Sequence, residues 1–129
     1  MKTITADFIN DFINCNEIEL KPTQKRLSIP VLNRIYQKMM NGIRFGEIKV
    51  CDNLIIDGHH RYLSSLMSKY PIKTIPNSKT SATIELEWKH ILFEENDFDT
   101  YWKIAYLNEI DAEYNSIPLE RIIKIISGQ

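Results

Sequence analysis

The 129-residue sequence predicts an α+β domain in which a small mixed sheet is flanked by helices. Three observations lead there. Stretches with apolar residues at helical spacing are interleaved with short alternating runs. Two such runs flank a polar Asp52-Asn53 turn. An apolar strand then passes directly into a helix at Asp57-Gly58. A chain of this length buries about two thirds of its extended surface, enough for one core without disulfide staples. Residues 1–129 are therefore expected to form a single domain.

Each element has a local reason. Thr5 to Asn14 places Phe8, Ile9, Phe12 and Ile13 on one helical face, with Thr3 or Thr5 as N-cap. Glu17-Ile18-Glu19-Leu20 alternates like a strand and ends at Pro22, leaving Lys21 to Leu27 as a polar, basic loop. Ser28 is the expected cap of a second helix, where Pro30 is tolerated in the first turn. Val31, Leu32, Ile35 and Met39 line its apolar face, and Asn41-Gly42 stops it. Ile48 to Cys51 and Leu54 to Ile56 form a hairpin. The helix after Gly58 buries Tyr62, Leu63, Leu66 and Met67, and Ile72 to Ile75 reads as another strand. Ser81 to Phe93 alternates as a longer strand or two. Asp97 to Leu107 reads as a helix capped by Asp97 or Asp99, with Phe98, Trp102 and Ala105 on one side. Pro118 to Ile126 reads as a terminal amphipathic helix.

Composition narrows the class. No run of eighteen apolar residues exists, so no membrane span is expected, and Asp7 interrupts any signal-peptide core. Cys15 and Cys51 are too few and isolated for a disulfide framework or a zinc site, which points to a reducing cytoplasm. The net charge of −1 hides a division. Lys21 to Lys79 carries eleven Lys/Arg against three acids, while Glu85 to Glu113 carries nine acids against two lysines. Either the basic middle binds an anion, or the two segments lie side by side and neutralise each other.

The informative stretch is Ile55-Ile56-Asp57-Gly58-His59-His60-Arg61-Tyr62. A helix start offers unpaired backbone N–H groups and a positive dipole end, so it favours an anion. Arg61 adds a charged planar fork suited to phosphate, and Gly58 permits close backbone approach. His59 and His60 can donate hydrogen bonds or move protons, and Asp57 suits a hard cation such as Mg²⁺. Adjacent histidines diverge by about 100° on a helix, which disfavours zinc.

This order of elements and motif resembles the ParB/sulfiredoxin superfamily, over roughly Glu17 to Ile75. The comparable motif reads Gly-Glu-Arg-Arg in ParB partition proteins and Gly-Cys-His-Arg in sulfiredoxin. In the free serine kinases it reads Asp-Gly-x-His-Arg, matched here by Asp57, Gly58, His60 and Arg61. His59 stands where sulfiredoxin has its cysteine and ParB its glutamate, which excludes sulfiredoxin chemistry. Pro22-Thr23-Gln24 stands where the kinases carry a catalytic glutamate.

The resemblance implies a core over residues 17–76 with a C-terminal extension over 81–129. It implies a nucleotide (ATP, ADP or CTP) with Mg²⁺ at Asp57 and phosphates held by Gly58, His60 and Arg61. Lys21, Thr23, Gln24, Lys25 and Arg26 would form a second wall. His59, His60 or Glu19 would serve as base in phosphotransfer to an unspecified acceptor, or in nucleotide hydrolysis. Two alternatives stand beside this. One is a ParB-like nucleic-acid-binding protein or nuclease, favoured by the basic middle. The other is a non-catalytic nucleotide sensor or interaction module, for which Trp88, Tyr101 and Trp102 would supply a partner surface or else belong to the core.

Overall fold

The computed structural model describes residues 3–128 and has a mixed α+β architecture. Helix α1 spans Ala6–Cys15, with the Thr5 hydroxyl accepting the Phe8 amide as the cap. Strand β1 (Arg26–Ser28) runs straight into α2 (Ile29–Met40), which Ser28 caps. The expected hairpin forms as β2 (Ile48–Cys51) and β3 (Leu54–Asp57), with Asp52 in the left-handed region at φ 54°. Next come α3 (His59–Ser68) and β4 (Thr74–Pro76). A single 3₁₀ turn at Trp88–His90 precedes β5 (Leu92–Glu94), followed by α4 (Tyr101–Tyr114) and α5 (Leu119–Ser127). Strands β3-β2-β4 form one mixed sheet, and β1 pairs in parallel with β5 in a second, two-stranded one.

The main core gathers Ile9 of α1, Leu32 and Tyr36 of α2, Ile48 and Ile55 of the hairpin, and Tyr62, Leu63 and Met67 of α3. A second cluster of Ile43, Ala112, Ile122 and Ile125 seats α4 and α5 beside α2. Ser28 joins these parts. Its amide donates to His60, and its hydroxyl accepts from the amides of Val31 and Phe98 and donates to the carbonyl of Asn96.

Four expectations give way to tertiary contacts. Glu17 to Leu20 is not a strand, because side chains take the hydrogen bonds a ladder would use. The Leu20 amide donates to the Tyr62 hydroxyl, and its carbonyl accepts the Trp88 indole N–H at 2.8 Å. Only Lys21 forms a bridge, to Leu54. Arg26 and Leu27, expected in a loop, belong with Ser28 to a strand because Leu92–Glu94 comes from 66 residues away to pair with it. The alternation over Ser81 to Phe93 yields only β5, with Trp88 buried against Tyr62 instead of sitting in a sheet. The helix expected from Asp97 begins at Tyr101 with Thr100 as its cap, and runs on to Tyr114. Asp97 and Asp99 are occupied by Arg34. Of Phe98, Trp102 and Ala105, expected on one side of this helix, Phe98 lies ahead of it and Trp102 is exposed, while Asn108 and Ala112 are buried.

The two charged segments lie side by side. Lys21 pairs with Glu87, Arg26 with Glu94, Arg34 with Asp97 and Asp99, and Lys38 with Asp111. The exposed pairs contribute little each. Lys38–Asp111, at 2.6 Å with the lysine side chain 5% exposed, is a buried pair whose halves depend on each other.

Gly58 sets the junction between β3 and α3. Its φ is +102°, and a Cβ there would lie 2.5 Å from Ile48 Cγ2. Its bare Cα therefore lets the hairpin core, rather than a ligand, approach closely. Gly58→Ala is expected to lose about 2–4 kcal/mol from left-handed strain plus overpacking, measured by urea unfolding. A loss under about 0.5 kcal/mol would mean that neither strain nor Ile48 constrains this corner.

Candidate functional site

The start of α3 opens on a cavity of about 620 Å³ between α2, α3, α4 and the Arg44–Gly46 loop. Its wall includes Asp57, Gly58, His59, His60 and Arg61 from the predicted motif. Gly58 has no side chain to cap the helix. Among the described residues, nothing accepts from the backbone amides of His59, His60 and Arg61. Three donors at the positive end of a helix dipole therefore remain to be satisfied by water or a ligand.

The imidazoles face the other way chemically. His59 Nε2 accepts the Thr23 amide at 2.9 Å, and the Thr23 hydroxyl, 3.3 Å from the same nitrogen, donates to the Ile55 carbonyl at 2.6 Å. His60 Nε2 accepts the Ser28 amide at 2.9 Å, and its ring meets Phe98 edge to face. An Nε2 that accepts from a backbone amide puts the ring proton on Nδ1. Both rings are thus neutral donors at Nδ1. Burial lowers each pKa to about 4. His60 adds to the lowering at His59, as do Arg34 and Lys103 at His60, while Asp57 and Asp99 respectively oppose it.

Arg61 is shared between fold and site. Its Nη1 donates to the carbonyls of Glu47 at 2.9 Å and Gly46 at 3.3 Å, and its Nη2 lies 3.5 Å from Asp57 Oδ2. Asp57 is the more open partner, with its side chain 63% exposed at the cavity edge.

The second wall is different from the one expected. Of Lys21, Thr23, Gln24, Lys25 and Arg26, only Gln24 lines the cavity. Lys21 and Arg26 are paired with Glu87 and Glu94, Thr23 holds His59, and Lys25 is exposed outside the cavity. Glu19 is exposed and also lies outside it. The wall instead comes from α2 through Arg34 and Lys38, from α4 through Lys103 and Asp111, and from Asp99 and Arg44 outside the helices. Periodicity marks these residues only as helix surface. The one sequence signal was the reciprocal charge of the two segments.

No group of three or more His, Cys, Asp or Glu positioned to hold a metal occurs among the described residues. Asp57 is a single carboxylate beside the anion-favouring amides. That arrangement suits Mg²⁺ only when a bound phosphate supplies further oxygens.

The imidazole pKa values carry a pH signature. A histidine neutral in the fold at about 4 and ordinary in the unfolded chain at about 6.5 stabilises fully above pH 6.5. As pH falls from 6.5 towards 4, the unfolded chain takes up protons first and this stability is lost. The expected loss is up to ~3 kcal/mol per ring. Urea unfolding at pH 7.5, 6, 5 and 4.2 measures it, and His60→Gln should flatten part of the slope. A flat profile in the unaltered protein would mean that the rings are not held neutral.

Compared with protein-family models, curated proteins and solved structures, the chain matches none of them.

Proposed function

We propose that this protein binds a nucleotide, with the phosphates on the amides that open α3, and that phosphoryl transfer or hydrolysis is the class of reaction it serves. The observation that carries this reading is an uncapped helix start facing a cavity of about 620 Å³, a volume typical of small-molecule sites. The Nδ1–H groups of His59 and His60 would add neutral donors, and Lys103, Arg44 and Arg61 positive charge. Such chemistry needs mainly positioning and charge neutralisation.

The roles differ from those the motif suggested. Both imidazoles already use their lone pair, so neither is a free base. Asp57, open at the mouth, is the carboxylate available to accept a proton or to join Mg²⁺ beside a bound phosphate. Pairing between the basic and acidic segments weighs against a nucleic-acid surface, which needs uncompensated cations along one face. A nucleotide-responsive interaction module is the second reading, favoured by Tyr101, Trp102 and Tyr106 standing exposed along α4.

Thermal unfolding with ATP, ADP, CTP and GTP, each with and without Mg²⁺, tests the proposal. A nucleotide at 100-fold its dissociation constant should stabilise the protein by ~2.7 kcal/mol. Lys103→Ala should fold normally, its side chain being 58% exposed, yet show a smaller shift. Arg61→Ala is a poorer probe, because it also removes the bonds to Gly46 and Glu47. If neither these nucleotides nor pyrophosphate stabilises the protein, the reading is wrong.

A further inference from the structure

Where α4 ends, an arginine and a tyrosine form a pair on the cavity wall. Arg44 and Tyr114 both line the cavity, and the Arg44 guanidinium carbon lies 5.5 Å over the centre of the Tyr114 ring. That separation is a cation–π contact. Both side chains are exposed, so a ligand in the cavity can reach them. The backbone behind them is fixed: Asn115 Oδ1 accepts the Arg44 amide at 2.7 Å, and its Nδ2 donates to the Arg44 carbonyl at 3.0 Å. Arg44 also differs from the other cations of the wall. Arg34, Lys38, Arg61 and Lys103 each pair with a carboxylate, whereas Arg44 pairs with none among the described residues. Its Nη2 instead donates at 3.3 Å to the carbonyl of Tyr114, the last residue of α4.

Helix polarity sorts these two parts of the cavity. The amides that open α3 lie at a positive helix end, which favours phosphate. The Tyr114 carbonyl lies at a negative helix end, where the Arg44 charge offsets the dipole and further phosphate is disfavoured. A flat, uncharged ring suits that place. We infer that Arg44, backed by Tyr114, is the platform on which the base of the bound nucleotide stacks. This rests on the nucleotide reading above and deepens it, by assigning the half of the ligand that the α3 amides do not hold. Guanidinium planes and aromatic rings stack on the face of a base, and such stacking serves any base, since each has a π-face. One nucleotide can span both places. The Gly46 carbonyl that Arg61 of α3 holds is two residues from Arg44, at most about 7 Å along the backbone.

The test compares pyrophosphate with ATP, ADP, CTP and GTP by calorimetric titration of the full chain, in the unaltered protein and in three variants. Tyr114→Leu removes the ring, Arg44→Lys keeps the charge but removes the plane, and Tyr114→Phe keeps the ring. All three should fold, because Tyr114 is 53% exposed and Asn115 holds Arg44 through its backbone. The tightest nucleotide should bind about tenfold weaker to Tyr114→Leu and to Arg44→Lys, and within about twofold of the unaltered protein to Tyr114→Phe. Pyrophosphate should bind all four proteins within about twofold of one another. Full nucleotide affinity in Arg44→Lys would mean that charge alone matters there, and full affinity in Tyr114→Leu would mean that the ring backs nothing. Equal weakening of nucleotide and pyrophosphate would make Arg44 a phosphate contact. Each of these results overturns the inference, as does an unaltered protein that binds pyrophosphate as tightly as every nucleotide. Failure of pyrophosphate and all nucleotides to bind the unaltered protein would instead remove the phosphate reading, and this inference with it.

Discussion

Two neutral imidazoles accepting backbone amides hold this molecule's central corner together. His59 takes the Thr23 amide and His60 the Ser28 amide, so the first turn of α3 grips both ends of the segment entering α2. Ser28 passes the connection on, capping α2 and binding Asn96 and Phe98 before α4 begins. The cavity walls meet at this one set of hydrogen bonds. Each imidazole must stay uncharged, since a protonated ring has no lone pair for an amide.

Neutral rings also determine what the helix start offers. Charged imidazoles would have added positive charge beside Arg34, Lys103 and the helix dipole, in a partly desolvated place where like charges repel strongly. Burial removes that charge and leaves hydrogen-bond donors in a fixed orientation. With Gly58 unable to cap the helix and Arg61 anchored to the Gly46 and Glu47 carbonyls, the corner combines rigid framework with unsatisfied amides. Preorganised donors of this kind need little rearrangement to receive an anion.

Charge segregation along the chain has a structural meaning. The basic middle and acidic later segment meet as ion pairs between residues more than sixty positions apart, from Lys21–Glu87 to Lys38–Asp111. This pairing directs the C-terminal part of the chain onto the N-terminal part, and so brings α4 across from α3 to complete the cavity. It also explains why the aspartates ahead of α4 do not cap it. Their carboxylates gain more from the Arg34 fork than from a helix amide that Thr100 can accept.

What could be read from the residues alone was whatever depends on near neighbours: the caps Thr5 and Ser28, the Asp52-Asn53 hairpin, the Gly58 junction and the terminal helix. These follow from backbone sterics and hydrogen bonds spanning a few residues, and the motif half of the candidate site was legible for the same reason. Tertiary structure decided the rest. It paired Arg26–Ser28 with Leu92–Glu94, turned Leu20 toward side chains instead of a strand, and chose Thr100 over the aspartates. It also supplied Lys103 and Arg34 as the opposite wall. Those outcomes depend on partners tens of residues away, and a spacing pattern cannot show which distant group will outcompete a local one.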